Sequence, residues 1–270
     1  MMSFSRFGVT LAALLSISAT SGMAADLGES DTATESNIAA RIEAGFGWAN
    51  ISAGGSINGW ALEGAGSVSM VFGGFYGQID VSALHQNFNF GNINDVSAVL
   101  HLGWRDQSIG TASIVGSTNR ISLGGAGATV NRIGVEGEIF LDYLTLGAGG
   151  GVIRPAGGGA ANIWYATGLA RFYLSENTKI QAAVSGLFPN GGGGNAYAVE
   201  AGIEHDYASM PFSVYARYDG FFLPAGGGNT HALMAGLKFY FGGNNGSIMQ
   251  ADRAFFADSC RFKAGSLRVC

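Results

Sequence analysis

Sixteen charged side chains recur at alternate positions of this sequence, in a pattern suited to ion chemistry. They are Arg41, Glu43, Glu63, Asp80, Asp95, Arg105, Arg132, Glu136, Glu138, Arg171, Lys179, Glu200, Glu204, Arg217, Asp219 and Lys238. Counted at period two, the repeat of a β-strand, all sixteen fall on one face of their strands. The opposite face is apolar, aromatic or glycine. Nine acidic and seven basic groups sharing one wall can do one of two things. They can line a passage whose charge rings bias ion flow, or they can neutralise one another and fill a narrow interior.

Nucleophilic chemistry has little to stand on. A serine hydrolase needs a nucleophile, a base and an orienting group brought together. The four histidines are scattered: His85 beside a loop, His101 among the lumen charges, His205 in a turn and His231 at a strand start. No serine stands in a recognisable nucleophile setting. The glycine runs are not phosphate loops, because no Gly-Lys-Ser/Thr follows any of them. We therefore expect no enzyme, no catalytic residue, no cofactor and no metal. The tyrosines on the charged face, Tyr76, Tyr165, Tyr173, Tyr215 and Tyr240, either form a sugar slide or fill space with rings. Filling is the expectation.

These side chains need strands to hold them, and the alternation marks twelve. The clearest sets Val96, Ala98, Leu100, Leu102 and Trp104 against Asp95, Ser97, His101 and Arg105. Others repeat it, such as Ala40 to Trp48 against Arg41 and Glu43, or Ile133 to Leu141 against Arg132, Glu136 and Glu138. Most runs are near the roughly 9–11 residues of a tilted membrane strand. A weak fifth run, Ser108–Val115, leaves ten strands possible. Connections alternate between tight turns and longer glycine-rich segments: Asn50–Gly59, His85–Asn94, Gly116–Asn131, Arg154–Asn162, Pro189–Asn195 and Asp219–Thr230. Glycine makes up 45 of 270 residues, about one in six where one in fourteen is usual. Its runs are assigned to loops.

Composition narrows the class. Hydrophobic residues make up 47% and charged residues 12%, and mean hydropathy is +0.24. A soluble sandwich that hides its apolar face needs less oil than this. The first 25 residues carry an export signal: Arg6, the apolar stretch Phe7–Ala19, and Met23-Ala24-Ala25 before the expected cleavage at Asp26. With Arg6 removed, 13 basic residues face 19 acidic ones, so no basic patch invites nucleic acid. Cys260 and Cys270 could close a small disulfide loop in an oxidising compartment, and whether they are bridged stays open. An exported chain with apolar outward and charged inward faces reads as a closed antiparallel transmembrane β-barrel. Trp48, Trp60, Trp104 and Trp164, with Tyr218 and Phe241, read as its interfacial girdle.

The chain resembles the porin-like outer-membrane β-barrel proteins of Gram-negative bacteria over residues 39–241. The most specific piece is the last strand. Gly236, Phe239 and Phe241 match the terminal signal by which such barrels engage the assembly machinery, although Met234 stands where a polar residue is usual. The family usually stops at the final aromatic, whereas this chain continues to Cys270. The resemblance implies an outer-membrane location, with lipid and the assembly machinery as partners.

The expected organisation is a signal peptide at 1–25, a periplasmic segment at 26–38, the barrel at 39–241 and a periplasmic tail at 242–270. The tail is expected to be dispensable for assembly. The leading function is a small porin or channel for ions or small polar solutes, weakly cation-preferring. A structural or adhesive barrel with a filled lumen is the alternative, and a lipid-modifying enzyme the remote one. Solute and oligomeric state stay open.

Overall fold

A computed structural model describes residues 37–52, 54–157, 162–190, 194–207, 212–224, 228–242, 246–257, 263–264 and 267–268. The expected export signal, most of the expected periplasmic segment 26–38, and Cys260 and Cys270 with the disulfide they could close lie outside the described residues. The strands are β1 (Asn37–Ser52), β2 (Ser56–Phe72), β3 (Phe75–Phe88), β4 (Gly91–Asp106), β5 (Gly110–Leu123) and β6 (Ala126–Leu141). They continue as β7 (Leu144–Pro155), β8 (Ile163–Ser175), β9 (Thr178–Pro189), β10 (Ala196–Asp206), β11 (Phe212–Leu223) and β12 (Gly228–Gly242). A short helix, α1 (Ile248–Ala254), and two two-residue strands, β13 (Lys263–Ala264) and β14 (Leu267–Arg268), follow.

The twelve long strands pair antiparallel with their sequence neighbours, and β12 returns to β1 to close a barrel. Closure leaves no edge whose backbone groups would go unpaired in lipid. The seam runs from Ala39↔Gly242 to Ser52↔Asn229. It sets Glu43 opposite Lys238 on the inner face and Phe46 opposite Ala235 on the outer. The weak fifth run is a full strand, paired with β4 from Asp106↔Gly110 to Ile93↔Leu123 and with β6 from Gly110↔Ile139 to Leu123↔Ala126. The ten-strand alternative falls.

The outer wall carries the apolar half of the alternation: Phe46, Ile79, Leu100, Val135, Val184 and Leu233 are all exposed. Among the described residues, no helix is long and apolar enough to cross a membrane.

One expectation about loops is corrected. Four of the six segments assigned to long loops, 50–59, 85–94, 116–131 and 219–230, are mostly strand. β3 turns into β4 through Asn89-Phe90 alone, and β5 into β6 through Gly124-Gly125. That turn has φ of +55° and +95°, the paired left-handed conformation of a tight hairpin that glycine adopts most readily. Many glycines also lie within strands, where they make room. A Cβ on Gly45 would stand 2.1 Å from the Tyr215 hydroxyl, and one on Gly236 would stand 2.7 Å from the same ring. Tyr165 covers Gly134 and Gly151 in the same way. Rings laid over bare backbone fill the lumen without widening the barrel.

Candidate lumen site

All sixteen predicted charges lie on the inner face. Fourteen are buried and two, Arg41 and Lys238, are partly so. Strand register decides which meet. Arg217 on β11 is a hub, with its guanidinium 3.3 Å from Glu43, 2.7 Å from Glu63 and 2.9 Å from Asp219. Glu63 also accepts from the Tyr215 hydroxyl at 2.7 Å. Next to this hub, Glu204 takes Lys238 at 2.7 Å and Lys179 at 3.2 Å. It accepts from Tyr240 at 2.7 Å and from Ser213 at 2.5 Å.

The other half of the wall has its own cluster. Arg132 meets Glu136 at 3.1 Å, and Arg171 meets Glu138 at 3.3 Å. His101 stands between Asp80 at 3.5 Å and Glu136 at 3.7 Å. Asn119 donates to Asp95, and Gln181 to Glu200. Burial of a charge is tolerable when a partner and further hydrogen bonds replace water, and most of this wall obeys that rule.

The lumen has three tiers along its axis. The end away from the termini is apolar. Ala49, Ala61, Leu84, Phe88, Ile93 and Met234 pack on one half of the wall. Ile153, Tyr165, Leu187, Ala198 and Phe221 pack on the other. The charges occupy the middle tier. A cavity there, bordered by Arg41, Lys179, Glu204 and Arg217, leaves the centres of water molecules about 50 Å³. That holds a few waters.

The third tier corrects the expectation of a tail apart from the barrel. Residues 247–257 fold back into the mouth that carries the termini. Ser247 caps α1 by accepting from the Gln250 backbone N–H at 3.2 Å. Wall side chains then satisfy the carbonyls that the helix end leaves free. Arg105 donates to the carbonyls of Asp252 and Arg253 at 2.9 and 3.2 Å, and Ser69 donates to that of Phe255 at 2.6 Å. Gln78 both donates to Ala257 O at 3.0 Å and accepts from Ala257 N at 2.9 Å.

The Asp252 carboxylate takes Lys179 at 2.7 Å and the Tyr173 hydroxyl at 3.1 Å. Phe255 and Phe256 pack with Ala39, Val71 and Tyr240, and the Arg41 guanidinium lies 4.9 Å from the Phe256 ring centre. Arg253 reaches back to the carbonyls of Leu141 and Asp142 in the turn between β6 and β7. Beyond α1, β13 lies beside β10, β11 and β12, and β14 beside β4. The segment thus touches the wall around most of its circumference.

The five lumen tyrosines are wall parts. Tyr76, Tyr173, Tyr215 and Tyr240 hydrogen-bond neighbouring side chains, and Tyr165 sits on glycine beneath Arg132, 5.2 Å away. Three histidines pair locally, His85 with Asn94, His205 with Thr178 and His231 with Tyr218.

No family model matches the sequence, and no curated protein matches it by sequence. Solved structures do match. The NanC porin superposes with a TM-score of 0.56 at 14% identity, covering 73% of this chain and 98% of NanC. The KdgM porin in complex with disordered oligogalacturonate gives 0.49 at 10% identity over 73% of this chain and 99% of KdgM. The translocator domain of the autotransporter NalP from Neisseria meningitidis gives 0.46 at 13% identity, covering 87% of this chain and 96% of that domain. The fold is that of a porin-like outer-membrane β-barrel. At these identities the likeness is one of architecture.

Proposed function

We propose that the chain is a small channel of the outer membrane that passes ions or small polar solutes with a weak preference for cations. One observation carries the reading: sixteen charges line the inside of a barrel whose outer wall is apolar. A barrel serving only as scaffold gains little from such a lining, because buried ion pairs are commonly replaced by apolar residues without loss of stability. Water and ions crossing a membrane do need it. The acidic surplus, nine against seven, sets the preference. The NanC likeness is to a porin. The N-terminal export signal and the aromatic end of β12 fit delivery to the outer membrane by the assembly machinery.

A structural barrel is the second reading, favoured by the apolar tier at one end and residues 247–257 at the other. Planar-bilayer recording separates the two. A channel gives current steps from folded protein, either full-length or lacking residues 243–270. Folded protein silent in both forms leaves the structural barrel.

A further inference from the structure

Resting on the channel reading, we propose that residues 247–257 are an autoinhibitory plug. It leaves the mouth of the lumen while the barrel stays closed, and the Lys179–Asp252 ion pair is its latch.

The barrel is complete without the plug. β12 pairs with β1 through fourteen positions, from Ala39↔Gly242 to Ser52↔Asn229, before the segment begins. The plug is held by side chains and by one backbone bond, from Met249 N–H to the Glu176 carbonyl at 3.1 Å in the turn between β8 and β9, and not by a strand ladder. A helix of seven residues has too few internal bonds to persist in water, so the lumen supplies its order. Once released it unravels, and nothing obliges it to stay near the mouth except its tether. That tether is the Gly-Gly-Asn-Asn-Gly stretch 242–246.

The wall tolerates the loss. Lys179 keeps Glu204 at 3.2 Å when Asp252 leaves, so that lysine is not stranded. Arg105 keeps the Tyr76 ring, 4.3 Å from its guanidinium carbon.

Single-channel recording of the full-length protein, of a form stopped after Gly242, and of full-length Asp252→Asn tests the proposal. Heat-modifiable migration confirms folding of each. The truncated barrel should stay open for most of a trace while the full-length protein is mostly shut. A synthetic peptide spanning residues 247–257, added on the tail side, should shut the truncated barrel. Asp252→Asn should raise the open fraction about tenfold, the scale of one lost charge-assisted hydrogen bond. Equal open fractions in all three forms would overturn the plug and leave the channel standing. Silence in all three would remove the channel itself. If the truncated form fails to fold, Asp252→Asn decides: an unchanged open fraction overturns the latch.

Discussion

Lys179 on β9 and Asp252 on α1 stand 2.7 Å apart inside the barrel, with side chains 4% and 3% exposed. Lys179 also holds Glu204, at 3.2 Å. One lysine therefore joins the charged wall to the segment that closes the mouth.

The facing of the strands is tested at Leu100. This residue is 43% exposed on the outer wall of β4 and opposes Ile79 and Gly116. Leu100→Arg should cost about 2–4 kcal/mol near the bilayer midplane and block folding into vesicles. Heat-modifiable migration like that of the wild type would contradict the facing.

The glycine–tyrosine fit makes a coupled prediction. Gly45→Ala places a methyl 2.1 Å from the Tyr215 hydroxyl oxygen but 3.2 Å from the ring carbon that bears it. The substitution should cost about 1–3 kcal/mol by overpacking. In a Tyr215→Phe background the cost should shrink. Urea midpoints of the four proteins in lipid vesicles measure this, and additive changes would deny the contact.

Arg217 anchors three carboxylates, those of Glu43, Glu63 and Asp219. Arg217→Met should destabilise by about 3–5 kcal/mol, because it removes the guanidinium that these buried acids share, while Glu43 keeps Lys238 at 3.8 Å. Adding Glu63→Gln should recover part of that loss. Denaturant unfolding of both variants checks the order.

Truncations separate barrel from plug. Deleting residues 239–270 removes Phe239 and Phe241, which oppose Ile42 and Ala40 at the seam. Assembly should fail. Deleting residues 243–270 spares the seam and should allow insertion. Membrane fractionation of the two truncated chains reads the difference, and a failed shorter deletion would make the segment part of the folding unit.

The sequence reveals the strands and their facing because each charge reports its own side, and period two carries the report along the strand. Arg132, Glu136 and Glu138 settle β6 in this way. The apolar tier is hidden for a related reason. Phe88, Ile93 and Phe221 share the parity of the lumen charges but lie beyond the last charge, in stretches that read as loop. Glycines such as Gly45 and Gly134 give alternation nothing to score, and their use depends on a tyrosine from another strand. The plug is legible least of all. Its seven-residue helix is too short for a periodic signal, and its hold depends on Arg105, Ser69 and Gln78 donating to backbone carbonyls, which no sequence spacing encodes.

Reversal potentials of the open barrel across a KCl gradient test most directly whether the sixteen charges line a passage. The lining predicts a modest cation preference, weakened by added salt, because the acidic surplus is small and interspersed. Glu136→Gln with Glu138→Gln should move the preference toward anions by freeing Arg132 and Arg171, now paired at 3.1 and 3.3 Å. An anion-selective wild type, or a potential indifferent to that double substitution, would contradict a passage lined by these charges.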